Sequence, residues 1–220
     1  MELKHKSPAR AWLYAVKTII SSGNIIFDGD QRLREITNLT LRVEHPLLRE
    51  EQIEKIVPQK YYEEVFAATL STVPFKGYGY SYGERIFEHK GINQLKWVIE
   101  KLRKNPHSKS ATIGILMPEQ DTKGKVPCMC LLDFKIRNGK LNMTAVFRSH
   151  DYGTKALPNL IALGELMKKV SDEIKAPSGE LICHSISAHI YENEYDSLKE
   201  LLNQMKVRKA RALRNEAPPC

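Results

Sequence analysis

Apolar residues recur at helical spacing from Pro8 to Ser22, where Trp12, Ala15, Val16, Ile19 and Ile20 share one face. The segment reads as an amphipathic helix. The pattern then shortens. Ile36, Leu39, Leu41 and Val43 mark Arg34 to Val43 as a strand. Helical patterns over Glu50 to Ile56 and Gln59 to Leu70 precede a glycine- and tyrosine-rich loop from Phe75 to Gly83. Gly91 to Lys104 is strongly amphipathic and ends at Asn105-Pro106, a stop signal for helices. Ala111 to Met117 reads as a strand, Pro118 to Lys125 as a polar loop and Asn159 to Ile174 as a helix. Gly179 to Ala188 reads as a strand and Ser197 to Arg208 as the last helix. Alternating strands and helices predict an α/β (α+β) layered domain.

One local element can be derived in more detail. Asn138-Gly139 is a strong two-residue hairpin signal. With that turn, Arg137 faces Lys140, and the residues Cys128, Cys130, Leu132, Phe134 and Ile136 share one strand face. Leu141, Met143, Ala145, Phe147 and Ser149 face them from the return strand. Two apolar faces that agree support the register. It sets Cys128 opposite Ser149 and aims Arg148 the other way. A bulge or strand end is therefore needed if Arg148 is to serve the cysteine.

Composition narrows the class. At 220 residues the default is one domain, spanning 1–220, with a substantial core. No apolar run approaches the roughly 20 residues of a membrane span, and the basic N-terminus lacks a signal-peptide apolar core. A cytoplasmic protein is expected. The four cysteines, Cys128, Cys130, Cys183 and Cys220, form no paired zinc pattern, so no metal is expected, and Cys130 and Cys183 read as buried small apolar residues. A net charge of +8 points to anionic partners, either a phosphate-bearing small molecule or nucleic acid. Much of the excess lies in the tail 206–220, which reads as a solvated helix end. Without a zinc finger, an RNA-binding signature or aromatic-basic interleaving, nucleic acid is the weaker choice.

Pro127-Cys128, Arg148-Ser149-His150-Asp151, Leu157-Pro158-Asn159 and His189-Ile190-Tyr191 together resemble the signature of thymidylate synthases, in spacing as well as in residue type. Tyr80-Ser81-Tyr82-Gly83, Asn93-Gln94-Leu95 and Asn105-Pro106-His107-Ser108 extend the resemblance. It covers about Tyr78 to Asp196 and is weak over 1–77; the short, divergent front half looks most like the archaeal branch. The resemblance implies a large twisted mixed sheet flanked by helices, with the sheet at the interface of a homodimer. It also implies deoxyuridylate (dUMP) as substrate and a reduced pterin as co-substrate. The pterin is 5,10-methylene-tetrahydrofolate or a related carrier such as methylene-tetrahydromethanopterin.

The residues suit that chemistry. C5 of a uracil ring is a poor nucleophile. A thiolate that adds to C6 turns C5 into an enolate carbon, which is covalent catalysis. Cys128 is the candidate nucleophile, and a guanidinium such as that of Arg148 favours a thiolate while gripping a phosphate. Asn159 offers one donor and one acceptor, matching O4 and N3–H of uracil, whereas cytosine reverses both groups; a helix N-cap is the plainer role for it. On an extended segment His189 and Tyr191 face the same way. By resemblance they hold the sugar 3′-hydroxyl, and Ser149 and Asp151 complete the phosphate and base contacts. The resemblance also implies that Tyr82 helps remove the C5 proton through water and that Glu63 or Glu64, with Glu64 preferred, organises water on the ring. In the family a second subunit lends cations to the phosphate, and the resemblance implies Lys109 here, with Arg32 or Arg34 near the N-terminus.

Some positions depart from the family pattern. Met129 stands where a histidine usually follows the cysteine. No clear counterpart of the folate-contacting tryptophan segment precedes Tyr78, and Trp97 reads as core. The C-terminal lid has no match in Glu216-Ala217-Pro218-Pro219-Cys220. The expected activity is reductive methylation of deoxyuridylate to thymidylate. The alternatives are a pyrimidine nucleotide 5-hydroxymethylase and a non-catalytic relative that binds nucleotide or RNA.

Overall fold

A computed structural model describes residues 1–55, 59–74 and 79–215. Seven strands form one mixed sheet: β1 (Glu2–His5), β2 (Asn24–Asp28), β3 (Gln31–Val43), β4 (Thr112–Gly114), β5 (Met129–Arg137), β6 (Lys140–Asp151) and β7 (Ser178–Tyr191). The order is β1-β3-β7-β6-β5-β4, with β2 also paired to β3. β1 and β3 are parallel, as are β6 and β7; the remaining neighbours are antiparallel. The flanking helices are α1 (Pro8–Ser22), α2 (Glu51–Glu54), α3 (Gln59–Leu70), α4 (Tyr82–Phe87), α5 (Gln94–Lys104), α6 (Pro118–Asp121), α7 (Ala156–Ile174) and α8 (Tyr195–Asn215). This is the α/β architecture expected from the sequence.

Local chemistry explains the main helices. Ser7 accepts the Arg10 amide at 3.2 Å and Pro8 opens α1, where its fixed φ suits the first turn. α1 then buries Trp12, Ala15, Val16 and Ile19. α7 is apolar nearly all round, burying Leu160, Ile161, Leu163, Leu166 and Met167, as a central helix must. It touches α1, α3, α5, β6 and β7, and it is the crossover that makes β6 and β7 parallel.

The β5–β6 hairpin keeps the expected register from Leu131↔Val146 to Arg137↔Lys140. Asn138 and Gly139 both have positive φ, 51° and 73°, as a type I′ turn requires. Beyond Leu131 the register shifts, and Met129 pairs with Phe147. The expected Cys128–Ser149 pairing is thus replaced: the Arg148 amide donates to the Cys128 carbonyl at 2.8 Å. One residue, Cys130, is inserted as a bulge. Met129 takes the buried face, and Cys128 leaves the one it was assigned.

Other boundaries also differ. The expected Phe75 to Gly83 loop lies partly outside the described residues, and α4 already begins at Tyr82. The strand expected over Ala111 to Met117 is only Thr112–Gly114, and the polar loop after it holds α6. Trp97 is not core: it is 45% exposed, with the Lys101 amine 4.8 Å from its ring centre. Cys183 is buried as expected, but Cys130 is half-buried at the bulge. The backbone of α8 continues to Asn215, but the side chains of the basic run 206–215, and residues 216–220 with the lid segment, lie outside the described residues. No helix among the described residues is long and apolar enough to cross a membrane.

Candidate active site

The ends of β5, β6 and β7 and the start of α7 converge on one cleft of about 750 Å³, open to solvent. Cys128, Ser149, Asp151, Asn159, His189 and Tyr191 line it, and Tyr82 closes one side. Four sequence-distant segments therefore reach one space.

Asp151 holds the turn between β6 and α7. Its Oδ1 accepts the amides of Gly153 and Thr154, at 2.9 and 3.2 Å, and its Oδ2 accepts the Thr154 hydroxyl. It also sits beside His189 in the β6–β7 register. Burial lowers the His189 pKa, against the opposing charge of Asp151. The His189 and Tyr191 rings meet edge to face at 5.1 Å. Burial raises the Tyr191 hydroxyl pKa, and Asp151 adds to the shift.

Asn159 is the fourth residue of α7, and its amide donates to the Lys155 carbonyl at 3.0 Å. It is therefore an interior helical residue, and the N-cap position belongs to Lys155. Its carboxamide nitrogen lies 3.3 Å from Nε2 of His150. Behind it, His150 Nδ1 is 3.1 Å from the Ser185 hydroxyl, which is also 3.1 Å from the Tyr152 hydroxyl. Phe147 stacks flat on His150 at 3.9 Å. Burial pushes the His150 imidazole down to about 3, with His189 adding to the shift.

The Tyr80-Ser81-Tyr82 side of the cleft is held from below. Ser81 caps α4 by accepting the Glu84 amide at 2.8 Å. Gly83 packs so closely that a Cβ there would lie 1.8 Å from the Ser71 carbonyl oxygen. Arg85 forms a buried two-point pair with Asp121, at 2.8 and 2.6 Å, and donates to the Ile115 carbonyl. That pair holds the Asp121 carboxyl below its ordinary pKa. The Tyr80 ring lies against the Arg85 guanidinium at 4.5 Å, a cation–π contact.

Four expected residues are not among the cleft's lining residues. Arg148 is exposed, and its guanidinium donates to the carbonyls of Pro127 and Val126 at 2.9 and 2.8 Å. It braces the loop that carries Cys128. Glu64 is half-buried, but its helix presents Val65, Ala68 and Thr69 to the cleft. Lys109 is exposed beyond α5. Arg34 donates to the Gly23 carbonyl at 3.2 Å and lies over the Tyr195 ring, while Arg32 pairs with Glu192.

Conversely, the cleft includes residues to which no sequence pattern assigns a role: His150, Lys155 and Thr69. Thr69 is 1% exposed, and its hydroxyl is without a hydrogen-bond partner among the described residues. His150 lay within a quoted motif, but strand alternation offers no sign that it is buried beside Asn159. Among the described residues, no three His, Cys, Asp or Glu side chains cluster as metal ligands.

A cleft that sets a thiol, a carboxamide and an imidazole around one volume, at the strand ends of a mixed sheet, is suited to a small polar ring. The comparisons narrow the class further. A family model described as Thymidylate synthase matches residues 58–216. A protein named "Putative thymidylate synthase" from Methanosarcina barkeri is 35% identical over 204 residues, covering 91% of this chain and 94% of its own. One of the same name from Methanothermobacter marburgensis is 35% identical over 210 residues, with 88% and 94% covered. Another, from Methanocaldococcus jannaschii, is 30% identical over 215 residues, with 90% and 94% covered. The chain belongs to the thymidylate synthase family.

Proposed function

We propose that this chain converts deoxyuridylate to thymidylate, taking a one-carbon unit and a hydride from a methylene-reduced pterin. One observation carries the reading: Cys128 and Asn159, from a strand end and a helix interior, line the same cleft. Family membership supports it.

The Cys128 thiolate adds to C6 of the uracil, and the displaced π pair moves toward O4. Asn159 donates to O4 and accepts from N3–H. C5 then bonds to the methylene carbon and loses its proton to water beside Tyr82, with Glu64 on the same relay. The methylene-reduced pterin, when bound, would supply both the carbon that C5 takes up and the hydride that reduces it, with both of its nitrogen–methylene bonds broken in the exchange. The C6–S bond breaks, giving thymidylate and a dihydropterin. His189 and Tyr191 hold the 3′-hydroxyl; Ser149, Arg148 and Asp151 hold the phosphate and base side. A second copy of the chain supplies Lys109 and Arg34 to the phosphate of its partner's site.

Tritium release from 5-tritiated deoxyuridylate tests this, with methylene-tetrahydrofolate and methylene-tetrahydromethanopterin each offered as donor. Release with a methylated product is expected from one of them. No release from either, with nucleotide still bound, would overturn the catalytic reading. A hydroxymethyl product would overturn hydride transfer.

A further inference from the structure

His150 touches Asn159 at the buried end of the cleft, and the polarity of that contact has a consequence for the base. This inference rests on the proposed uracil nucleotide substrate. The carboxamide nitrogen only donates, so the 3.3 Å contact between Asn159 Nδ2 and His150 Nε2 requires a bare Nε2. In a neutral ring the proton then sits on Nδ1, where it points at the Ser185 oxygen 3.1 Å away. Ser185 can accept this proton and that of Tyr152 on its two lone pairs. Its own hydrogen is left for the Cys183 sulfur, which hydrogen-bonds with Ser185 and also lies 3.8 Å from His150 Nδ1. The chain is closed, with each buried polar group supplied, as a low-dielectric interior demands.

We propose that His150 is a specificity-determining positioning residue: its Nδ1–H tautomer fixes the carboxamide of Asn159 in the orientation that reads uracil. With one N–H held by Nε2, the oxygen and the other N–H form the edge offered to the base. That edge places an acceptor and a donor in one order, which suits N3–H and O4. The opposite tautomer would donate from Nε2 and turn the Asn159 oxygen toward His150. The edge would then reverse and suit N3 and the amino group of cytosine. One buried proton thus selects between two pyrimidines without touching either. Flat stacking on Phe147 and full burial hold the ring in place.

Two measurements test the proposal. In protein labelled with ¹⁵N-histidine, long-range proton–nitrogen NMR should show His150 as the Nδ1–H tautomer, both free and with deoxyuridylate bound. A proton on Nε2 overturns the proposal, and this measurement needs no variant. Second, the ratio of deoxycytidylate to deoxyuridylate Kd should fall by about tenfold or more in His150→Phe, the scale set by a two-point base contact. Met143→Ala, a core truncation elsewhere on β6, should lower stability and keep the ratio. If His150→Phe keeps the wild-type ratio, His150 does not position Asn159, while the uracil reading stands. A wild-type chain with no preference for the uracil nucleotide overturns both.

Discussion

The Arg148 amide donates to the Cys128 carbonyl at 2.8 Å, one residue out of the register that holds for the rest of the hairpin. The Arg148 side chain adds two bonds, to the carbonyls of Val126 and Pro127. Backbone and guanidinium together fix the strand end that presents Cys128. Arg148→Ala should cost little stability, about 1–2 kcal/mol for two partly exposed bonds. Its main effect should be on turnover, about 100-fold, because small misplacements of a reacting group are expensive. Arg148→Lys should recover charge but not the two-carbonyl grip, and so should stay closer to alanine than to wild type. Equal kcat/KM for lysine and wild type would show that charge alone is needed.

Cys128→Ala should abolish tritium release while leaving the Kd for deoxyuridylate within about tenfold, or about 1.4 kcal/mol. The other polar residues lining the cleft, Ser149, Asp151, Asn159, His189 and Tyr191, come from β6, β7 and α7 and do not depend on the thiol. Isothermal titration beside the release assay separates the two effects. Residual release above background in the variant would remove Cys128 from the nucleophile role.

Where the sequence carried a strong local code, it could be read. Pro8–Ser22 was legible because Ser7, Pro8 and an apolar face agree. The hairpin was legible because Asn138-Gly139 fixes a register that two apolar faces confirm. The bulge at Cys130 was not, since nothing local distinguishes an inserted residue from the next paired one; the need to re-aim Arg148 was the only hint. β1 and β2 were missed for different reasons. Glu2–His5 is a short, mostly polar strand stabilised by a distant partner, β3. Asn24–Asp28 exposes Ile25 and Phe27, which breaks the one-sided burial expected of a strand. In the cleft, residues with distinctive spacing were legible. His150 was not, because its importance depends on Asn159 arriving from another element.

Gly83 makes the Tyr80–Tyr82 wall of the cleft sensitive to a single methyl group. A Cβ would meet backbone atoms of Ser71, oxygen and carbon alike, so no side-chain rotation relieves the clash. Gly83→Ala should destabilise the chain by about 2–3 kcal/mol, an overpacking cost, measured as a lower urea midpoint. Nucleotide turnover should fall further than stability predicts, because Tyr82 opens the same helix. An unchanged midpoint would mean that Ser71 moves aside freely.

His150 should also give the protein an acid-sensitive core. Its folded pKa is pushed down to about 3 by burial, from an ordinary 6.5. Above 6.5 both the folded and unfolded chains carry it neutral, and it contributes no pH dependence. Between 6.5 and about 3 the unfolded chain binds a proton that the folded one refuses, so stability falls as pH falls. The slope is about 1.4 kcal/mol per pH unit, or about 2 kcal/mol lost by pH 5. His189, lowered by burial in the same way, acts in the same direction. Urea unfolding at pH 7.5 and pH 5 should therefore show a smaller difference for His150→Phe than for wild type, even though the variant is less stable at both. Equal pH differences for the two proteins would mean that His150 already takes up its proton in the folded state near its ordinary pKa.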